Sequence, residues 1–372
     1  MEKKKKRINL IYLPIIIAVI FGILMGLLVD KTSDIWFFFE NGISNIIFIL
    51  IELYLAVFLQ IIFHELGHLI FGLLTGYKFL SYRIGNLMLI KKNKKIKLKR
   101  MTLIGTSGQC LMSPPDFNNG NMPFIFYNLG GIVLNILVSL ASIFLYLSID
   151  FILVKNFMLI LFFVGIYFAI INGIPMGLAV NNDGYNVMLI LKSKESKYSF
   201  WLQLKVNESL ANDLTLKDIP WKLFKRTNSI LNDTMVNVIN IFECNKLLSE
   251  RKYLKCYQMM DQLLSGNYKL INIHRYLLIL DCVYCELILN KGDKYINKYR
   301  SNDLQRFVAS MKNYPTVLRT NYAYALLIEN NLNKALDIKN KFMKISLNYP
   351  YEGDIKTELE LMEYSEQIRE DM

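Results

Sequence analysis

Hydrophobic and polar positions divide this chain into two unlike halves. Before about residue 192 the apolar residues gather into long runs, Ile8 to Val29, Ile43 to Tyr77, Phe124 to Leu147 and Phe151 to Ile171. Each is long enough to cross a bilayer core as a helix. Beyond residue 192 the chain turns polar, rich in Lys, Asn, Glu and Tyr, and reads as a series of helices. The pattern predicts a polytopic membrane domain over 1–192 with about four transmembrane helices, then a soluble α-helical domain over 193–372. Between the second and third runs, Phe79 to Ile90 and Ile96 to Ile104 read as two strands around Lys91-Lys92-Asn93-Lys94-Lys95, a small β-hairpin. The fold class is therefore membrane all-α with a hairpin near the candidate active site.

Composition agrees: 53% of residues are hydrophobic and the mean hydropathy is +0.29. The net charge of +12 adds an orientation. Lys78, Arg83, Lys91, Lys92, Lys94, Lys95, Lys97, Lys99 and Arg100 accumulate between the second and third runs with no acidic residue among them, and Lys3 to Arg7 precede the first run. By the positive-inside rule both segments face the cytoplasm, and four spans return the C-terminal domain to the same side. The charge then reads as attachment to anionic lipid and not as a nucleic-acid footprint. A cleaved signal peptide is the competing reading of the first run, against its length and the absence of a small-x-small site after it. The Lys, Asn and Ile bias fits an A/T-rich bacterial genome, and the implied location is a multi-pass cell-membrane protein with both termini in the cytoplasm.

Candidate chemistry lies inside the second run, in Phe63-His64-Glu65-Leu66-Gly67-His68-Leu69. On a helix His64 and His68 sit one turn apart on one face, so both imidazoles can reach a single zinc ion while Glu65 projects beside them as a base for water. The chain has only three histidines, and ionisable groups at membrane depth are costly enough to be read first as functional. The alternative is a buried polar cluster that bonds neighbouring helices. With the helix leaving the membrane near Gly76, His68 lies about 12 Å inside.

Zinc needs a third protein ligand. His274 lies far into the soluble half, whereas Asp183 follows the glycine- and proline-interrupted stretch Asn172 to Asn182, and irregular backbone at membrane depth is tolerated where it lines a wet cavity. An ordinary Asn-Asp-Gly turn at the membrane surface is the alternative.

These residues resemble the site-2 protease family of intramembrane zinc metalloproteases. The resemblance rests on His64-Glu65-Leu66-Gly67-His68, on Asn172-x-x-Pro175 followed by Asp183-Gly184, and on Gly131-Ile132-Val133-Leu134-Asn135 as a Gly-x-x-x-Asn motif. It covers about residues 43–192. It implies zinc bound by His64, His68 and Asp183, Glu65 as the base, and Asn172 positioning substrate or oxyanion. Two departures stand out: seven residues separate Pro175 from Asp183 where four are usual, and Ile132 replaces the proline of the family's Gly-Pro-x-x-Asn form. The family is also thought to hold unwound substrate on a strand edge by main-chain hydrogen bonds. Here the hairpin either does this or caps the bundle. Gly105 to Pro115, rich in breakers, reads as a loop able to gate the site.

Gln60 and Glu52, upstream on the motif helix, read as lining a wet cavity or meeting another helix. Five cysteines facing a reducing cytoplasm argue against disulfides, and Cys282-x-x-Cys285, with no second ligand pair nearby, reads as packing. Cys244 and Cys256, Cys285 and Asn297, and Ala323 and Ala335 lie twelve apart across short polar turns, a faint resemblance to tetratricopeptide helical hairpins at a longer period than their usual 34; an unrelated helical bundle fits nearly as well. The expected function is a zinc endopeptidase cleaving single-span membrane proteins or hydrophobic leader peptides in or near the cytoplasmic leaflet, with the helical module available to a protein partner. The alternative is a catalytically silent membrane-peptide binder or escort that uses the helical module as an adaptor.

Overall fold

The structure is a computed structural model that describes residues 15, 16, 19, 22, 43–101, 105–117, 121–177, 181–224 and 233–371. The first apolar run and its basic leader otherwise lie outside the described residues. Among these residues three helices are long and apolar enough to cross a membrane: α1 (Ile43–Leu74), α2 (Ile125–Ser148) and α3 (Ile152–Gly173). They mark a membrane protein, and the expected count of four stands at three here.

The chain forms two compact units. The first comprises Met1–Lys78, Thr106–Cys110 and Pro123–Met188, and the second Phe79–Gly105, Leu111–Met122 and Leu189–Met372. The expected division at 192/193 thus has its counterpart at 188/189, and most of the β-sheet belongs with the helical C-terminal part.

In the first unit, α1 runs without a proline until Gly76, whose φ of +88° closes the helix while Tyr77 N–H donates back to Gly72 O at 3.0 Å. Close helix contact depends on small residues. A Cβ on Gly67 would lie 2.2 Å from Gly130 O, and one on Gly165 would lie 2.1 Å from Ser139 Oγ, the tight approach that membrane helices use where no hydrophobic drive separates protein from lipid. Outward positions such as Tyr54, Leu74, Phe144 and Leu147 are exposed and apolar, as a lipid-facing surface requires. Pro175 ends α3: it lacks an N–H and disfavours helical geometry at Ile174, which is extended (φ −72°, ψ 122°). The helical path resumes with α4 (Asp183–Lys192).

Four strands form one sheet, most of it in the second unit: β1 (Lys78–Ile84), β2 (Leu87–Lys92), β3 (Lys95–Arg100) and β4 (Gly108–Ser113), in spatial order β3-β2-β1-β4, with β1–β2 and β2–β3 antiparallel. Two corrections to the sequence reading follow. The first predicted strand is two strands, because Gly85 (φ +58°) turns the chain in its middle. The predicted gating loop 105–115 is largely β4, whose Cys110 and Met112 are buried while its backbone joins the sheet. Asn93 (φ 49°) and Lys94 (φ 65°) form the tight β2–β3 turn, the positive-φ pair that matches strand twist.

Helices follow: α5 (Lys194–Ala211), α6 (Thr234–Ser249), α7 (Tyr253–Ser265), α8 (Asn272–Leu289), α9 (Lys294–Tyr299), α10 (Asn302–Ser310), α11 (Pro315–Leu327), α12 (Leu332–Ser346) and α13 (Glu352–Glu370). The three sequence pairs fall in consecutive hairpins α6/α7, α8/α9 and α11/α12, which stack through α7 on α8 and α8 on α11. Cys244, Cys256, Cys282 and Cys285 are all fully buried in the shared core, unpaired. Buried Arg319 of α11 binds Asp281 of α8 and Glu358 of α13, so one guanidinium ties three helices.

Candidate metal centre

His64 and His68 occupy adjacent turns of α1, and Asp183 is the first residue of α4; their side chains converge. His64 Nε2 and His68 Nε2 are 3.2 Å apart, and Asp183 Oδ2 lies 3.0 Å from the first and 3.5 Å from the second. Four atoms arranged tetrahedrally at about 2.05 Å around zinc stand about 3.3 Å from one another. All three measured separations fall within a few tenths of an ångström of that edge.

Hydrogen bonding on the far side of each ring fixes where one proton sits on each imidazole. His68 Nδ1 is 2.7 Å from the Tyr127 carbonyl oxygen, which can only accept, so Nδ1 carries the proton. His64 Nδ1 is 2.7 Å from Asn135 Oδ1. The Asn135 amide cannot be reversed, because its Nδ2 donates to Gln60 O at 3.0 Å and to Gln60 Oε1 at 2.6 Å. His64 Nδ1 is therefore the donor here too. With both imidazoles neutral, their Nε2 atoms carry lone pairs aimed at each other and at Asp183 Oδ2; a second proton on either ring would instead make an imidazolium paired with that carboxylate. In the neutral form three electron-pair donors face inward, an arrangement that a cation among them would stabilise. The residues fit a divalent metal of the zinc type, and the outward bonds are the kind that orient metal-ligating histidines.

Glycines make the arrangement possible. A Cβ on Gly131 would lie 2.6 Å from His64 Cε1, and one on Gly108, the first residue of β4, 2.5 Å from Glu65 Oε1. Backbone thus lies directly against the ligand ring and the candidate base. Glu65 itself is buried.

Asn182 organises the Asp183 segment. Its Oδ1 accepts from Met176 N–H at 3.0 Å and from Tyr185 N–H at 2.9 Å, and its Nδ2 donates to Ile171 O and Ile174 O, both at 2.6 Å. One side chain therefore caps the start of α4 and fastens it to the end of α3. A Cβ on Gly184 would lie 2.2 Å from Gly173 O, so the two helix ends meet at a glycine. This is how the long segment after Pro175 delivers its carboxylate.

Of the predicted site residues, the structure brings together His64, His68 and Asp183, with Glu65 on the same helix. Asn172 is placed otherwise: its Nδ2 donates to Phe168 O at 3.0 Å within its own helix. His274 lies in α8 of the helical domain, outside the ligand group. Sequence reasoning read Gln60 as lining a cavity or meeting another helix, and it does meet two, through the Leu161 carbonyl and the Asn135 amide; it singled out Asn135 only through the Gly-x-x-x-Asn resemblance, and it gave Asn182 no role. The available signal was Asn immediately before Asp-Gly, the sequence form of a helix N-cap. In comparison with known proteins, the chain matches no family model, no curated protein and no solved structure.

Proposed function

We propose that this protein is an intramembrane zinc metalloendopeptidase of the site-2 protease type, cutting single-span membrane proteins or hydrophobic leader peptides near the cytoplasmic face. One observation carries the reading: three ligand-type atoms at tetrahedral spacing, two of them on a helix apolar enough to cross a membrane, with Glu65 beside them.

His64 Nε2, His68 Nε2 and Asp183 Oδ2 would hold zinc, which supplies Lewis-acid polarisation of a carbonyl and brings the pKa of a water to about 7. Glu65 takes the proton from the water that attacks the scissile carbon and returns it to the leaving amine nitrogen. Asn135 and the Tyr127 carbonyl keep the two imidazoles in the tautomer that binds metal. β4, last in the sheet order and beginning against Glu65, offers an edge along which an unwound substrate segment could be extended. The basic segment 78–100 and the C-terminal helices are assigned to the cytoplasm on charge.

The test compares membrane peptides from cells carrying the wild type or Glu65→Gln, alongside the zinc content of both purified proteins. Expected are equal zinc and a precursor that accumulates only with the variant. Stoichiometric zinc with identical peptide profiles would favour a binding or escort role, and a wild type without zinc would end the metallopeptidase reading.

A further inference from the structure

The outer face of the β2–β3 hairpin has no part in the proposed chemistry. Met88, Ile90 and Lys92 of β2 point inward and are buried, packed with Ala211, Tyr349 and Tyr351 or, for Lys92, paired with Asp213. By strand alternation the opposite face carries Leu87, Leu89, Ile96 and Leu98, exposed at 47, 43, 64 and 62%. Leu89 stands directly across from Leu98, and on the same face Lys91 is paired with Ile96 and Arg100 with Leu87. Lys94 and Lys95 sit at the turn, both exposed. A contiguous apolar centre with a basic rim marks an interaction site.

We propose that this face docks on the surface of an anionic lipid bilayer, its four aliphatic side chains entering the interfacial layer and its lysines meeting the headgroups. Charge complementarity selects this occupant: the segment from Lys78 to Arg100 has no acidic residue, and of its nine basic residues Arg83 and Lys92 are buried while the other seven are not. A second copy presenting the same face would set lysine against lysine. Chain connection brings lipid within reach, because only Thr75, Gly76 and Tyr77 separate the end of α1 from β1, a span of at most about 14 Å. The proposal rests on the membrane character of α1 and not on the metal site.

Spin labelling tests it on the full chain in nanodiscs. The five native cysteines are buried, so a label attaches selectively at Leu98→Cys, at Ile96→Cys or, as the opposite-face control, at Lys97→Cys. In discs containing phosphatidylglycerol, the labels at 96 and 98 should collide with dissolved oxygen and be shielded from a water-soluble nickel chelate, while the label at 97 shows the reverse. Replacing phosphatidylglycerol with phosphatidylcholine, or introducing Lys94→Gln and Lys95→Gln, should return the label at 98 towards water. Each lost charge should lower the docked fraction's equilibrium about fivefold. The proposal is overturned by labels at 96 and 98 that remain water-exposed in anionic discs, by lipid contact indifferent to headgroup charge, or by dipolar broadening between labels on two copies. Circular dichroism of each variant confirms the fold, and two independent positions keep one misfolded variant from deciding the outcome.

Discussion

Asn182→Ala is the sharpest test of how the third ligand is delivered. On sequence alone this substitution should spare the metal, because Asn182 is only a neighbour of Asp183. The structure reverses that expectation, since the Asn182 side chain makes four hydrogen bonds across the junction of α3 and α4. Loss of a helix N-cap costs about 1 kcal/mol, and loss of the two donated bonds about 1 kcal/mol each. Were all of this spent on holding Asp183 Oδ2 beside the two Nε2 atoms, zinc affinity would fall by about two orders of magnitude; relaxation of the loop makes about tenfold to a hundredfold the expected range. Asn182→Ser retains a side-chain acceptor for the α4 N-cap and loses the donated pair, so it should fall between wild type and alanine. Chelator competition on detergent-purified protein measures the affinity, and circular dichroism with thermal melting separates a local effect from unfolding. A folded Asn182→Ala protein with wild-type zinc affinity would refute the reasoning.

Gly131→Ala places a methyl group within van der Waals overlap of the His64 ring; at about 1–3 kcal/mol for overpacking it should weaken zinc binding by roughly tenfold or more, whereas Gly130→Ala, which meets the Gly67 carbonyl, should chiefly lower the melting temperature. Asn135→Ala removes the acceptor that fixes the His64 tautomer and should cost about tenfold to a hundredfold in metal affinity; Gln60→Leu leaves the Gln60 carbonyl in place for Asn135 and should cost less, an order to be read from cobalt-substituted absorption spectra and chelator competition. In the helical domain, burial raises the Asp354 carboxyl from 3.8 to about 7, with Glu358 adding to the rise and Lys92 opposing it. The folded state therefore holds this proton where the unfolded chain has lost it. That stabilising contribution is complete below about pH 4 and falls away as pH rises towards 7. Asp354→Asn should raise the melting temperature more at pH 8 than at pH 5, and an equal effect at both would contradict the assignment.

The legible part of this molecule was local in sequence. Three helices could be read from runs of apolar residues, and the two histidines from a one-turn repeat, because both signals depend only on positions a few residues apart. The strands between them were harder. A long apolar–basic run looks like one strand unless Gly85 is recognised as a turn, and Gly105 to Pro115 looks like loop because its breakers outweigh the alternation of Cys110 and Met112, whose burial comes only from the rest of the fold. Asn172 illustrates a different limit: a motif position says nothing about which way an amide points, and here it points into its own helix.

The donor geometry was least accessible, because it comes from pairs that sequence distance hides. His64 meets Asn135 across 71 residues and His68 meets the Tyr127 carbonyl across 59. These contacts decide more than orientation. A histidine with its proton on Nε2 could hydrogen-bond Asp183 directly, and the cluster would then be a satisfied buried network with no need for an ion. Once both Nδ1 atoms are committed as donors to groups that must accept, only a doubly protonated imidazolium pairs with Asp183 in that way. The polar cluster and the metal centre, equally compatible with His64-Glu65-Leu66-Gly67-His68 as a string of letters, thus differ by one proton: with the Asn135 amide and the Tyr127 carbonyl holding each Nδ1–H, neutral rings present Nε2 lone pairs to a metal, and a protonated ring makes an ion pair with Asp183.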